Sequence, residues 1–167
     1  MNVNEILDLL VHEKREVTRH GPPIEWHVDL APVPPILADE RQLYNCLENI
    51  VNNALEAMSE GGALFIESRR SDGAILIVVR DTGPGLSEEA ARHLFKPFFT
   101  TKPTGSGLGL YTSKQIVESL GGELTLSCQL GQGCEVVIRL PIPEFSSEVQ
   151  AGGESARAEP SEESREG

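Results

Sequence analysis

The sequence is poor in cysteine, in aromatic residues and in long apolar runs. Only three of its 167 residues are cysteine, and no CxxC spacing occurs among them, which predicts neither a disulfide framework nor a zinc site. The longest wholly apolar run, residues 74–79, is far shorter than the ~20 residues that span a bilayer. The first residues lack the basic-then-apolar pattern of a secretion signal. We therefore expect one cytoplasmic globular domain.

Basic residues are also scarce, and the excess of acid is uneven. Asp and Glu number 26 against 14 Lys and Arg, a net charge of −12, which argues against binding to duplex nucleic acid or to an anionic membrane surface. Residues 144–167 hold seven of the acidic residues and two of the basic ones, with almost no large apolar side chain. Such a segment cannot bury enough surface to offset its chain entropy. We predict a folded domain over residues 1–143 and an acidic disordered tail or linker over 144–167.

The periodicity of the folded part predicts alternating helices and strands. Helical patterns cover about 4–19, 40–59 and 108–120, and strand patterns cover 25–30, 63–68, 74–79, 124–128 and 136–140. The unbroken apolar run at 74–79 is typical of a strand buried on both faces, and the stretch after it is predicted to be irregular. We expect an α/β (α+β) two-layer sandwich, with about three helices on one face of a mixed, mostly antiparallel sheet.

The helix predicted over 40–59 carries a polar stripe beside its apolar face. At 100° per residue Asn49, Asn53 and Glu56 fall together, whereas Glu48 points to another face and is expected to be solvated. Asparagine forms helices less readily than most residues, so two of them four residues apart at the edge of the core indicate a specific role. They either cap neighbouring backbone or present amide oxygens to a magnesium ion that is shared with phosphates.

Two glycine-bearing segments follow. Asp81-Thr82-Gly83-Pro84-Gly85 comes directly after the apolar strand, where the carboxylate either caps a turn or accepts the exocyclic N–H of a purine. A second segment, GSGLGL at 105–110, opens a helix whose N-terminus favours the negative charge of a phosphate. Between them, residues 94–99 concentrate three of the five Phe residues in a long loop, which favours a lid.

In this order the segments resemble the ATP-binding catalytic domain of two-component sensor histidine kinases, in the GHKL superfamily. Residues 48–58 look like the N box, 81–85 like the G1 box, 95–102 like the F box and 105–110 like the G2 box. The resemblance covers about residues 24–143 and is strongest to the branch that includes nitrogen-regulation sensor kinases. It implies a Bergerat fold in which ATP lies under a mobile lid over about 86–106.

The same resemblance implies roles for individual residues. Asp81 would grip the adenine amino group, Asn53 would hold Mg²⁺ against the triphosphate, and Asn49 would lie beside the phosphates. Lys102, or Lys96, could neutralise phosphate charge. The remaining implied nucleotide-binding residues lie in the two glycine segments: Gly83, Gly85, Gly105, Gly107, Leu108 and Gly109. Catalysis would consist of positioning and charge neutralisation.

Several positions depart from the family pattern. ATP-hydrolysing relatives such as DNA gyrase and heat-shock chaperones carry a Glu base where this chain has Asn49, so the site is expected to deliver phosphate to an acceptor rather than to water. Glu56 stands where many histidine kinases have a basic residue, Ala57 where some have an aromatic one, and Cys134 where a small hydroxyl residue is common.

A phosphoacceptor histidine is not predicted within the chain. His12 is followed by Glu13 as in an H box, but the family's proline is missing and the segment is too short for a helical hairpin, so His12 is expected to be exposed on a helix. The chain is therefore interpreted as a monomeric catalytic domain that needs a separate histidine-bearing dimerisation domain and acts on a response regulator indirectly. Two alternatives stay open: a stand-alone GHKL serine kinase of the anti-sigma-factor type, and a non-catalytic ATP-binding module.

Overall fold

The computed structural model describes residues 1–98 and 109–144. Within these ranges none of the helices combines the length and the apolar character that crossing a membrane requires. The elements in chain order are α1 (Val3–Val17), β1 (Ile24–Leu30), α2 (Glu40–Ala57), β2 (Gly62–Ser71), β3 (Ala74–Asp81), α3 (Glu88–His93), α4 (Gly109–Ser119), β4 (Glu123–Gln129) and β5 (Gly133–Pro141).

The five strands form one mixed sheet in the order β1-β2-β3-β5-β4. β1 and β2 run parallel and are joined through α2, whereas every other neighbouring pair is antiparallel. A parallel pair requires a crossover connection, and α2 supplies it. The mixed, mostly antiparallel sheet expected from the sequence is confirmed.

One face of the sheet is buried beneath the helices and the other is open. Along β3, Ile75, Ile77 and Val79 are buried, and they belong to one apolar cluster with residues of α1, α2 and α4. Leu76 and Val78 on the opposite face are only half-buried. The prediction that β3 is buried on both faces was therefore wrong, because a two-layer sandwich leaves the second face without a covering layer. The two-layer arrangement itself is confirmed.

Helix α2 forms as its sequence predicts. The side chain of Asp39 accepts a hydrogen bond from Gln42 N at 3.0 Å, so it caps the first turn. The apolar stripe of the helix is buried against the sheet: Leu43, Leu47, Ile50, Val51, Ala54 and, just after the helix, Met58. Each fully buried Leu or Ile contributes roughly 1.5–3 kcal/mol, so this stripe fixes the orientation of α2 and of the polar stripe beside it.

Contacts between α1 and α2 correct one expectation. Glu48 is not simply solvated, because its Oε1 lies 2.8 Å from Lys14 Nζ and its side chain is 32% exposed. One turn earlier on α2, the Tyr44 hydroxyl donates to Glu13 Oε2. The sequence did not show which face of α1 meets α2, so neither pair could be predicted. His12, on the same helix, is exposed as expected.

The contact between Glu13 and Tyr44 has a measurable consequence. The hydrogen bond to Glu13 raises the pKa of Tyr44 to about 12, above its ordinary 10.0, and burial adds to the rise. The folded state holds this proton more tightly than the unfolded chain, so stability should fall as pH rises from about 10 towards 12. In a Tyr111→Phe background, ultraviolet titration should show Tyr44 ionising late, and Glu13→Gln should move its pKa back towards 10. An unchanged midpoint in Glu13→Gln would contradict the contact.

The stretch predicted to be irregular after β3 contains the short helix α3. Ser87 caps it by accepting from Ala90 N at 3.2 Å. Glu88 and Glu89 lie in its first turn, and Arg92 and His93 lie in its last, an arrangement that suits the helix dipole. These local signals are present in the sequence, but the helix is too short to show an apolar period.

The hairpin of β4 and β5 corrects the prediction about cysteines. Cys128 and Cys134 form a disulfide across the two strands, because the register places them directly opposite each other with Cα atoms 4.1 Å apart. Cysteine spacing alone does not reveal strand register, so the bond could not be predicted from it. Cys46 is the free cysteine of the described residues and is buried in α2.

Candidate functional site

The polar stripe of α2 lies between the two glycine-bearing segments. A Cβ atom added at Gly109 would lie 3.9 Å from Asn49 Cγ, so the start of α4 is beside Asn49. A Cβ atom added at Gly83 would lie 2.8 Å from the carbonyl oxygen of Ala57, so the loop after β3 rests on the end of α2. Asn53 lies midway, one turn from Asn49 and one turn from Ala57. The fold therefore brings Asn49, Asn53, Gly83 and Gly109 to one side of α2.

A polar contact in the core holds α4 against α2. Ser113 Oγ donates to the carbonyl oxygen of Cys46 at 3.3 Å, and Cys46 Sγ approaches the carbonyl oxygen of Ser113 at 3.7 Å. Ser113 and Cys46 are both fully buried. The small side chains at these two positions allow the backbones of α2 and α4 to approach closely. This pair, which sequence reasoning missed, fixes where the N-terminus of α4 points.

Asp81 lies at the end of β3 on the covered face of the sheet and is only 5% exposed. Its Oδ1 accepts the backbone N–H of Gly83 at 2.9 Å, and the backbone N–H of Cys134 also donates to its carboxylate. Burial raises the pKa of the Asp81 carboxyl, and the two backbone donors oppose that rise. A buried carboxylate with acceptor capacity left is suited to receive an N–H group from a ligand.

The loop that follows Asp81 packs closely on the β4–β5 hairpin. Gly85 has φ +72°, and a Cβ atom there would lie 2.0 Å from the carbonyl oxygen of Gln129. Gly131 N donates to the carbonyl oxygen of Pro84 at 2.7 Å. The glycines of this loop thus serve close backbone packing, as well as any role in binding. Support of this loop by the hairpin was not predicted from the sequence.

The aromatic segment is only partly packed. Phe95 is half-buried against the core, with Lys114 Nζ of α4 4.9 Å from its ring centroid. Lys96 is exposed, and Phe98 is 76% exposed with a positive φ of 67°. Phe95 therefore connects the segment after α3 to α4, a contact with Lys114 that the sequence did not predict.

Four predicted site residues lie outside the described ranges: Lys102, Gly105, Gly107 and Leu108. Their proposed contacts with phosphate remain predictions. The predicted tail from residue 145 onwards also lies outside those ranges.

Comparison with known families agrees with this arrangement. The family described as "Histidine kinase-, DNA gyrase B-, and HSP90-like ATPase" matches residues 38–144, and the chain belongs to that family. This stretch contains α2, the Asp81 loop, α4 and the hairpin. The resemblance read from the four motifs is thereby confirmed.

The curated relatives are bacterial sensor kinases. The chain is 35% identical over 127 residues to sporulation kinase E of Bacillus subtilis (strain 168), covering 75% of this chain and 17% of that protein. It is 36% identical over 152 residues to the sensor protein TdiS of Thauera aromatica, covering 84% of this chain and 27% of that protein. The chain thus spans only about a sixth to a quarter of the length of these relatives.

Solved structures show the same fold. The catalytic domain of histidine kinase ThkA, in a nucleotide-free form, superposes with a TM-score of 0.76 at 29% identity, over 84% of this chain and 93% of that one. The mycobacterial sensor histidine kinase MprB gives a TM-score of 0.75 at 28% identity, over 84% and 95%. The described residues therefore have the fold of a histidine kinase catalytic domain.

Proposed function

We propose that this chain binds Mg-ATP and donates the γ-phosphoryl group to a histidine on a separate dimerisation and phosphoacceptor domain, in two-component signalling. The observation that supports the proposal is that Asn49, Asn53, Gly83 and Gly109 lie on one side of α2, with the Asp81 carboxylate hydrogen-bonded to Gly83. Asp81 would bind the adenine amino group at one end, and Asn49 and the start of α4 would meet the phosphates at the other. ShkA, similar to this chain at 31% identity and a TM-score of 0.73, is described in complex with AMPPNP, which supports a nucleotide ligand.

Asn53 is suited to be a protein ligand of a magnesium ion that is held mainly by phosphate oxygens. Within residues 1–98 and 109–144, no three His, Cys, Asp or Glu side chains gather as a metal cage. Mg²⁺ takes oxygen ligands and usually binds through one or two protein groups plus substrate phosphates and water. Asn53 offers a hard amide oxygen on a rigid helix and is half-buried. The ion would neutralise charge on the triphosphate, while Asn53 holds its position.

The chemistry expected of these residues is positioning. Asn49 stands on the stripe beside Gly109, and an amide cannot take a proton from water as a carboxylate base does. The site is therefore suited to place the γ-phosphoryl group before an acceptor side chain. We place this step in the cytoplasm, with a response regulator receiving the phosphoryl group afterwards from the histidine. The isolated chain is proposed to be monomeric and to bind neither nucleic acid nor membrane.

Removing the Asn53 amide should weaken ATP binding selectively in the presence of magnesium. Loss of a hydrogen-bonding group to a charged partner costs about 1.5–3 kcal/mol, so Asn53→Ala should raise the Kd for Mg-ATP by roughly 10- to 100-fold. Without magnesium the difference from wild type should shrink. Isothermal titration calorimetry with and without Mg²⁺ measures both. Asn45→Ala makes the same amide-to-methyl change at an exposed position one turn before Asn49 and should leave the Kd unchanged. Equal losses with and without Mg²⁺ would contradict the role of Asn53.

The acceptor is tested with radiolabelled ATP and two added proteins. Incubation with a histidine-bearing hairpin domain should give an acid-labile, base-stable phosphoprotein, and ATP alone should give little ADP. An acid-stable product on an anti-anti-sigma protein would show the serine kinase instead. ATP binding with no transfer to either protein would show a non-catalytic binding module.

A further inference from the structure

The disulfide of the β4–β5 hairpin lies next to the carboxylate proposed to bind adenine. Arg80 of β3 pairs with Glu135 of β5, so the following residue, Asp81, adjoins Cys134. The backbone N–H of Cys134 donates to the Asp81 carboxylate. Because side chains alternate along a strand, Cys134 shares the covered face of β5 with Val136, and Asp81 shares the same face of the sheet with Val79. One residue of the disulfide is thus a direct partner of the proposed base-binding group.

Backbone packing connects the rest of the hairpin to the same loop. A Cβ atom added at Gly133 would lie 2.1 Å from the carbonyl oxygen of Asp81, and one added at Gly85 would lie 2.0 Å from that of Gln129. Gly131 N donates to the carbonyl oxygen of Pro84 at 2.7 Å. The backbone of the hairpin meets the backbone of the Asp81 loop at three points, so no flexible side chain lies between them to adjust when the hairpin moves. A displacement of the hairpin end must therefore move Asp81.

We propose that the Cys128–Cys134 disulfide is a positioning element for Asp81, and that its reduction to two thiols weakens nucleotide binding. The inference rests on the proposed function, in which Asp81 receives the adenine amino group. The bond links the last part of β4 to the residue whose N–H orients the carboxylate. Without it, the hairpin end beyond Cys128 is held only by hydrogen bonds and by its packing on the Asp81 loop.

A dithiol is a sufficient reductant for the Cys128–Cys134 bond. The dithiol supplies two electrons and two protons, the S–S bond between Cys128 and Cys134 breaks, two cysteine thiols form, and the dithiol becomes a disulfide. Cys128 and Cys134 are half-buried, so a small dithiol can reach them, whereas Cys46 is fully buried and burial raises its pKa to about 11. In the proposed cytoplasmic setting disulfides are rare and are usually transient or redox-sensing. The bond is therefore accessible to reductants, and a reducing environment would open it.

The test compares ATP affinity of the whole chain in its two redox states. Titration of the oxidised chain and of the chain kept in dithiothreitol should show the Kd rising about fivefold or more on reduction, within the usual range of coupling between two sites. Adenosine, which lacks phosphates, should lose affinity by the same factor, because the affected contact is at the base. Cys46→Ala should keep the response, and the double substitution Cys128→Ser with Cys134→Ser should bind as the reduced chain does and ignore dithiothreitol.

A reciprocal measurement needs no variant. Linkage requires that ATP make the disulfide harder to reduce by the same factor by which the disulfide tightens ATP. Thiol labelling at a series of dithiol concentrations, with and without saturating ATP, should show that shift in midpoint. Equal Kd values in both redox states, or no protection by ATP, would overturn the inference and leave the proposed function standing. No ATP binding in either state would contradict both.

Discussion

Asp81→Ala should raise the Kd for ATP by roughly 10- to 100-fold while the chain stays folded. The carboxylate is buried at the end of β3, so an N–H group that reaches it forms a charge-assisted hydrogen bond in a setting of low dielectric, worth about 1.5–3 kcal/mol. The substitution also leaves the N–H groups of Gly83 and Cys134 without their acceptor. Isothermal titration calorimetry with ATP and with adenosine gives the loss, which should be similar for both ligands.

Asp29→Ala is the matched control for this prediction. Asp29 is an exposed carboxylate on β1, the strand at the edge of the sheet, two strands away from β3. Its removal makes the same change in net charge and should leave the Kd for ATP unchanged. Losses of the same size in Asp29→Ala and Asp81→Ala would mean that overall charge, and not the position of Asp81, controls affinity.

The pKa of Asp81 also predicts how stability and adenosine binding depend on pH. Burial raises this pKa, so the proton is held more tightly in the folded state than in the unfolded chain. Stability therefore falls as pH rises from the pKa of the unfolded state, about 3.9, through the higher pKa of the folded state. The contribution of this proton to stability is fully present only below the unfolded pKa. Base binding needs the ionised carboxylate, so adenosine affinity should instead be lost as pH falls through the folded pKa. Asp81→Asn should remove both slopes, which urea unfolding and adenosine titration across that pH range would show.

Gly133→Ala should lower the free energy of unfolding by about 2–5 kcal/mol. Gly133 has φ +97°, and a left-handed conformation costs about 1–2 kcal/mol for a residue with a Cβ atom. The added atom would also lie 2.1 Å from the carbonyl oxygen of Asp81, and overpacking of this kind costs about 1–3 kcal/mol more. Urea unfolding followed by circular dichroism measures the loss.

The same turn supplies the control. Gly131 also has a positive φ, +80°, but a Cβ atom there would meet nothing within 4 Å. Gly131→Ala should therefore show only the conformational cost of about 1–2 kcal/mol. The difference between the two variants isolates the contact between the hairpin and Asp81. Should Gly131→Ala and Gly133→Ala lose the same stability, the close approach at Gly133 would be absent in solution.

Local signals were enough to predict much of the fold. The cap at Asp39, the apolar stripe of α2 and the alternation in β4 and β5 are encoded within a few residues, and the structure confirms each of them. The order of the four motifs was enough to identify the family. By contrast, α3 is too short to show a period, and the unbroken apolar run of β3 does not distinguish a strand that is covered on one face from one that is covered on both.

Features that depend on which elements meet could not be predicted. The pairing of Lys14 with Glu48 requires the packing of α1 on α2, and the disulfide requires the register of β4 on β5. For the site, the residue types at Asn49, Asn53 and Asp81 were recognised from the sequence. Their supports, Ser113 against Cys46 and the hairpin against the Asp81 loop, involve residues far apart in the chain.

The two ends of the segment that joins β3 to α4 are anchored on a single helix. Gly83 rests at Ala57 and Gly109 at Asn49, two turns apart on α2, a span of about 12 Å. The described residues between them make contacts of their own: Gly131 N donates to the carbonyl oxygen of Pro84, and Phe95 lies against Lys114 of α4. The spacing of the two ends is therefore set by α2. Inserting or deleting one residue of α2 between Asn49 and Ala57 would change their separation by about 1.5 Å and rotate one end about the helix axis by about 100°.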